Sequence, residues 1–459
     1  MGKEMVEVQE EQKLHRGLKN RHIQMIALGG AIGTGLFYGS ATSIQLAGPA
    51  ITLSYLIGGI AIFFVVRALG EMSVDEPVSG AFSYYAYKYW GDFPGFFSGW
   101  NYWFNYIVVS MAELAVVGTY INYWLPNVPT WLSALVFLVT ITLVNLISVK
   151  AFGEFEFWFA LIKVVAIIAM IAFGLLMIFF GLGNNGDPIG FSNLWAHGGF
   201  LPNGITGLLL SLVVVMFSFG GVELIGITAG EAENPKKSIP KAINQVIWRI
   251  LIFYIGAISI LLIIYPWNQV GVAGSPFVEI FSKIGIGAAA GILNVVVLTA
   301  ALSTYNSGLY SNGRMLYALA LQKNAPKMFT TLSKSGVPYV GVIFSSALTL
   351  ITVALNFLVP GKVFLYLISI ALIAGIFNWV MILITHIKFR KQKGADAEHL
   401  EFKLPFYPIS SYITLAFLAL VVILMYFIPD MRFSLYVGPV WIVILYISYK
   451  LKGGSKSKA

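Results

Sequence analysis

The residues of this 459-residue chain that could do chemistry lie inside apolar runs. Two of the sites are breaks in the backbone. Gly29-Gly30-Ala31-Ile32-Gly33-Thr34-Gly35 interrupts a run that starts near Ile23, and Phe217-Ser218-Phe219-Gly220-Gly221-Val222-Glu223 interrupts one that starts near Gly204. Glycine disfavours helix interiors, and within a bilayer every freed backbone group still needs a partner. Two such breaks, about half a chain apart, predict unwound backbone lining a cavity where a polar solute completes the bonding. Discontinuous helices at corresponding positions of two halves are the sequence mark of a secondary transporter's site. At the first break, the N–H groups of Gly33, Thr34 and Gly35 open a half-helix whose positive end suits a carboxylate. The Thr34 hydroxyl is a further donor. The second break frees carbonyls over residues 217–222, which suit an ammonium group. Together they describe a site for an α-amino acid. A packing role is the alternative, because Gly35-Leu36-Phe37-Tyr38-Gly39 is a small-xxx-small motif. No strand precedes the first glycine string, so it is not a phosphate loop.

Charges inside spans come next, since each is costly and commonly functional. Lys163 lies mid-span among Phe157-Trp158-Phe159-Ala160-Leu161-Ile162 and Val164-Val165-Ala166. Burial disfavours the charged form of a lysine or a carboxylate, which suits both to carrying a proton. A protonated Lys163 also resembles a bound monovalent cation; snorkelling to an interface is its other reading. Glu223 follows the second break and reads either as a second proton site or as a structural acceptor. Glu113 sits among apolar residues of the third span with its role open. Glu231, beside Glu233, Lys236 and Lys237, reads equally as part of a gate or of a solvated loop. Thr299 and Ser303 are four apart on one helix face and could face the first break near Lys163. Thr304, Asn306 and Ser307 follow them, and hydroxyls that bond back to their own helix are the bland reading. Phe217 and Phe219 flank the second break and could cover a bound solute.

The elements that must carry these residues are membrane helices. The chain is 58% hydrophobic and 11% charged, far below the roughly 25% charged of soluble chains, and its mean hydropathy is +0.81. This is an all-α polytopic membrane protein. About 20 apolar residues cross a bilayer, and twelve segments qualify: 23–46, 49–70, 95–124, 128–148, 155–182, 204–229, 247–266, 286–320, 339–359, 363–387, 408–428 and 433–450. With both termini cytoplasmic, 25 of the 29 lysines and arginines fall on the cytoplasmic side, as the positive-inside rule requires. The basic pI of about 9.3 therefore reflects topology rather than nucleic-acid binding. No cleavable leader is expected in the polar first 22 residues. Residues 1–22 read as a cytoplasmic tail, 23–200 as a first repeat of five spans, 201–403 as a second, and 404–459 as two further spans and a tail. An odd number of spans per repeat makes the repeats inverted. Cysteine is absent and the five histidines are scattered, so neither a metal site nor a nucleophile cluster is expected. Intramembrane charges are too sparse for a channel pore, and no loop is long enough for a sensor's signalling domain.

The same residues carry a family likeness. Arg16-Gly17-Leu18 with Arg21-His22-Ile23, Ala27-Leu28-Gly29-Gly30-Ala31-Ile32-Gly33-Thr34-Gly35-Leu36-Phe37, Gly70-Glu71-Met72, Gly99-Trp100-Asn101-Tyr102-Trp103, Gly153-Glu154-Phe155-Glu156-Phe157-Trp158-Phe159 and Glu223-Leu224-Ile225-Gly226-Ile227-Thr228 occur in order. The chain resembles the bacterial amino acid permeases of the amino acid–polyamine–organocation superfamily over nearly its whole length. The resemblance implies a leucine-transporter-like fold of twelve helices, with a five-plus-five inverted repeat and broken helices 1 and 6. It implies amino acid uptake into the cell across the cell membrane, driven by protons and without any other cofactor. By position, Gly33, Thr34 and Gly35 would bind the substrate carboxylate, and the carbonyls of Ala31, Phe217 and Gly220 its amino group. Phe219 resembles the family's aromatic gate. Lys163 resembles its sodium-replacing lysine, and Glu223 and Glu231 its acidic control positions. Phe217-Ser218-Phe219-Gly220-Gly221 resembles aromatic amino acid permeases, whereas Pro266-Trp267-Asn268-Gln269 resembles proline permeases. Gly220 and Gly221 leave room for a bulky side chain, so a large neutral or aromatic amino acid is the expected substrate. A proline or small neutral amino acid permease, or an exchanger, is the alternative. The expected partners are the substrate and the lipid bilayer, with no nucleic acid, and the expected state is a monomer or weak oligomer.

Overall fold

A computed structural model describes residues 21–22, 25, 32–78, 80–229, 234–271, 274–283, 285–358 and 363–456. Every regular element among them is helical. In chain order the α-helices are α1 (Thr34–Phe37), α2 (Ser40–Ala47), α3 (Ile51–Asp75), α4 (Ala81–Trp90), α5 (Asp92–Asn122), α6 (Thr130–Ile147), α7 (Val149–Phe180), α8 (Gly204–Phe217), α9 (Leu224–Thr228), α10 (Pro235–Arg249), α11 (Ala257–Ile264), α12 (Pro276–Lys283), α13 (Gly287–Leu321), α14 (Tyr339–Leu358), α15 (Val363–Lys393), α16 (Ile409–Met425) and α17 (Arg432–Lys456).

Among the described residues, nine helical stretches are long and apolar enough to cross a membrane. They match nine of the twelve expected segments. The segments expected at 204–229 and 408–428 contain the shorter apolar helices α8 and α16. The segment expected at 23–46 lies partly outside the described residues. Local chemistry sets several of the boundaries. Pro49, which cannot continue a helix, sits in a single 3-10 turn, Gly48–Ala50, between α2 and α3. The Ser148 hydroxyl accepts from the Ala151 N–H at 3.0 Å and starts α7, a standard N-cap.

The outer helices expose many apolar residues, whereas the inner ones bury most of their length. Leu143, Trp158, Phe180, Tyr436 and Leu451 are exposed, which only a lipid surround tolerates at this density. In α13, by contrast, every residue from 300 to 320 is buried. That helix packs along α5 and α7, while α5 also packs on α15. The short α1 touches both α8 and α13. Two short helices were not expected as elements. One is α4, held between Gly80 and Gly91. The other is α12, whose buried Phe277 meets the Phe37 ring at 4.9 Å and so covers the C-terminal end of α1.

At the end of the bundle where α3 and α15 meet, Glu71 is fully buried. Arg390 pairs with it, donating from Nη2 at 2.9 Å, and the Leu404 N–H donates at 2.6 Å. His386 Nε2 lies 3.1 Å away, and one turn on, Lys393 pairs with Asp75 at 2.8 Å. This cluster ties α3 to α15 and to the segment that follows it.

Candidate functional site where two glycine strings meet

The two glycine breaks touch. A Cβ placed on Gly35 would lie 2.7 Å from Ser218 Cα and 3.2 Å from Phe217 Cδ1, so only glycine permits this approach of α1 to the end of α8. The second break is a chain of three-residue turns. Ser218, Phe219 and Gly220 donate their N–H groups to the carbonyls of Val215, Met216 and Phe217 at 3.0, 3.1 and 3.0 Å. Gly221, at φ +97°, then redirects the chain into α9. The Phe217 carbonyl therefore already accepts one hydrogen bond. The break is braced from behind by a π-helical stretch, Ile250–Gly256, between α10 and α11. Tyr254 in that stretch donates to the Ser218 carbonyl at 2.9 Å. Single π-turns recur at functional positions in helices.

A cavity of about 40 Å³ lies at the junction. Gly33, Gly35, Phe217, Ser218, Gly220, Gly221 and Glu223 line it from the breaks. Asn105, Tyr106 and Glu113 of α5, Thr304 of α13, and Gly375 and Trp379 of α15 complete it. The space holds a few water molecules at about 10–15 Å³ each. An amino acid needs more, so the lining must move to admit one.

Three acidic groups and one lysine surround the junction. Glu113, whose role the sequence leaves open, accepts from the Thr34 N–H through Oε1 at 3.4 Å. The same oxygen lies 2.9 Å from where a Gly33 Cβ would sit. Its carboxylate thus stands where the sequence places that of a substrate. Glu223 is buried at the cavity wall and accepts from Trp379 Nε1 at 3.3 Å. Lys163 is fully buried and does not snorkel. Its ammonium donates to the Ile32 carbonyl at 3.1 Å and to Ser303 Oγ at 2.9 Å. Ser303 in turn donates to Glu156 Oε1 at 2.5 Å, and Asn306 donates to Glu156 Oε2 at 3.4 Å. A buried relay, Ile32–Lys163–Ser303–Glu156, thus connects the first break to α7 and α13.

The remaining expected residues divide. Thr34 is fully buried with its hydroxyl unpartnered. Thr299 spends its hydroxyl on the Val296 carbonyl at 2.8 Å, one turn before the Ser303 that meets the lysine. Phe219 does not line the cavity. It is fully buried between Tyr55 and Tyr254, with ring centroids 6.0 and 5.0 Å away, in space that Gly58 leaves. Of the two aromatics flanking the second break, Phe217 is the one that lines the cavity. Ala31 and Glu231 lie outside the described residues. Sequence reasoning did not single out Glu156, Trp379, Asn105 or Tyr106. Only Glu156 carried a usable signal, as an intramembrane charge. The expected start of the fifth segment at 155 put it at the membrane edge, but α7 begins at Val149, two turns earlier.

The family model of the amino acid permeases matches residues 22–457. The chain belongs to that family. As an amino acid permease it is 53% identical to the uncharacterized amino acid permease YtnA of Bacillus subtilis strain 168, over 98% of this chain and 97% of YtnA. It is 53% identical to the aromatic amino acid transport protein AroP of Escherichia coli strain K12, over 97% of each chain. It is 52% identical, over the same shares, to AroP of Salmonella typhimurium strain LT2. This permease is thus a multi-pass cell-membrane protein whose substrate is an amino acid, and its relatives are transporters, not enzymes.

Proposed function

We propose that this permease imports an aromatic L-amino acid by proton symport with alternating access. The contact of the two breaks around a cavity walled by Glu113 and Glu223 carries this reading. Its frame is twelve spans with both termini cytoplasmic and inverted repeats over 23–200 and 201–403, supported by the basic-residue asymmetry and by one break in each repeat. The substrate carboxylate takes the N–H groups of Gly33, Thr34 and Gly35. Glu113 already accepts from the Thr34 N–H, and two charged carboxylates repel at that distance. Glu113 therefore takes a proton or turns away as the substrate binds. The ammonium group meets carbonyls of Ala31, Phe217 and Gly220. Gly220, Gly221 and Gly375 leave room for a ring once Phe217 and Trp379 move. Two of the relatives bear the name aromatic amino acid transport protein, which supports that substrate class.

Lys163 is the proton site in this reading. Protonated, it donates to both Ile32 and Ser303 and ties the first break to α13 as a bound cation would. Deprotonated, it has fewer N–H groups and no charge, and the tie weakens. Glu223 and Glu231 are the further acidic control positions.

The test is uptake of labelled phenylalanine into proteoliposomes under an imposed inward proton gradient. Accumulation that depends on the gradient and is blocked by tyrosine and tryptophan is the expected result. Absent phenylalanine uptake with thermal stabilisation by proline would overturn the substrate. Uptake that ignores the gradient and needs a trapped internal amino acid would replace symport by exchange.

A further inference from the structure

A second, larger space lies away from the breaks. It is an open groove of about 430 Å³ between the start of α5, the end of α17 and the turn that follows α13, roughly ten times the central cavity by the same measure. Phe96, Trp100 and Trp103 line it at positions i, i+4 and i+7 of α5, and Trp441, Leu445, Ser448 and Lys452 line it from one face of α17. Lys323 and Asn324 close one end. Its lining contains two lysines and no acidic residue. The polarity is graded. Lys452 lies about 16 Å along α17 from Trp441, so both lysines sit at one mouth and the indole rings run inward from it. Lys452 is held there by Asn324 Oδ1 and lies 5.8 Å from the Phe96 ring. The wall is rigid: Trp441 stacks on Phe104 at 4.3 Å. Trp100 and Trp103 donate to the Asn324 carbonyl and Ser345 Oγ, both at 3.1 Å. The buried Trp441 Nε1 has no such partner.

We infer that this groove binds an anionic phospholipid. The phosphate sits between Lys323 and Lys452, and an acyl chain lies along the tryptophans. Two cations at the mouth of an aromatic channel complement an amphiphile with a negative head. In the proposed topology the mouth faces the cytoplasmic leaflet, where anionic lipids concentrate. The binding itself does not depend on that topology or on the transport mechanism.

The experiment uses the full chain in detergent, with native mass spectrometry and thermal melting during titration with phosphatidylglycerol or phosphatidylcholine. The expected result is a retained phosphatidylglycerol adduct and stabilisation selective for that lipid. Each lysine near an anionic surface contributes about fivefold, so Lys323→Gln with Lys452→Gln should weaken binding about 30-fold. Lys450→Gln, on the same helix but outside the groove, should leave it unchanged. Equal binding of the two lipids, or an equal loss in Lys450→Gln, would overturn the proposal in favour of diffuse surface charge. Equal stabilisation by inorganic phosphate would overturn it in favour of a free-anion site. Rapid disulfide formation between copies carrying Trp441→Cys would assign the groove to a second copy of the chain. Should the double variant fail to fold, a photoreactive phosphatidylglycerol on the wild-type chain decides. Crosslinks within residues 441–452 support the site, and crosslinks only elsewhere reject it.

Discussion

Lys163 is held by two acceptors of different kinds, a carbonyl from unwound backbone and a hydroxyl backed by a carboxylate. A lysine that merely packed would not need to bridge α7 to the first break. Lys163→Ala should abolish gradient-driven accumulation of phenylalanine in proteoliposomes, and retained accumulation would reject it as the proton site. Glu156 is the less obvious test. Hydrogen bonds to charged groups are worth about 1.5–3 kcal/mol, so Glu156→Gln should lower the gradient-driven initial rate about tenfold or more. The amide preserves shape and can still accept from Ser303, so folding should survive. An unchanged rate would reduce Glu156 to packing. At this scale the sequence made Lys163 legible, because a lone cation inside an apolar run is conspicuous. The side-chain direction of Phe219 was not legible. Two aromatics flanking a turn look alike until Tyr55, Tyr254 and Gly58 select which one is buried away from the cavity.

The helical elements matter through their interruptions. Glycine marked the break after α8, and the described glycines of the first string, Gly33 and Gly35, lie where α1 approaches it. The π-helical stretch Ile250–Gly256 carried no mark, because Ile-Leu-Ile-Phe-Tyr-Ile-Gly is as apolar as the α-helical runs beside it. Its effect, delivering the Tyr254 hydroxyl to the Ser218 carbonyl, depends on one extra residue in a turn. The tie between α3 and α15 is a buried ion pair between elements. Removing one partner of a buried ion pair costs about 3–5 kcal/mol. Glu71→Gln should therefore lower the melting temperature of the purified protein markedly and weaken the docking of α15. A melting curve that overlays the wild type would mean that His386 and Arg390 do not need the carboxylate.

The chain as a whole contains no cysteine, which makes its proposed topology directly testable. Asn185→Cys, in the turn after α7, should react with a membrane-impermeant thiol reagent added to intact cells. Lys391→Cys, near the end of α15, should react only after the membrane is opened. The reverse pattern would invert the orientation and with it the direction assigned to the basic loops. The cavity belongs to this scale as well. At about 40 Å³ it is too small for the proposed substrate, which is why the proposed mechanism has the groups of helices that meet there separate and close again.

Composition and periodicity alone determined the helical membrane class, nine of the twelve segments seen as long apolar helices, and the break after α8, because burial of apolar length and the rarity of intramembrane glycine runs and charges are local properties. The tertiary structure decided which of those residues meet. The approach of Gly35 to Ser218, the Glu113 carboxylate at the Thr34 N–H, the Lys163–Ser303–Glu156 relay and the graded groove beside α17 each join residues from separate helices. No spacing along one helix encodes such contacts. They follow from how the helices pack, and packing is a property of the whole set.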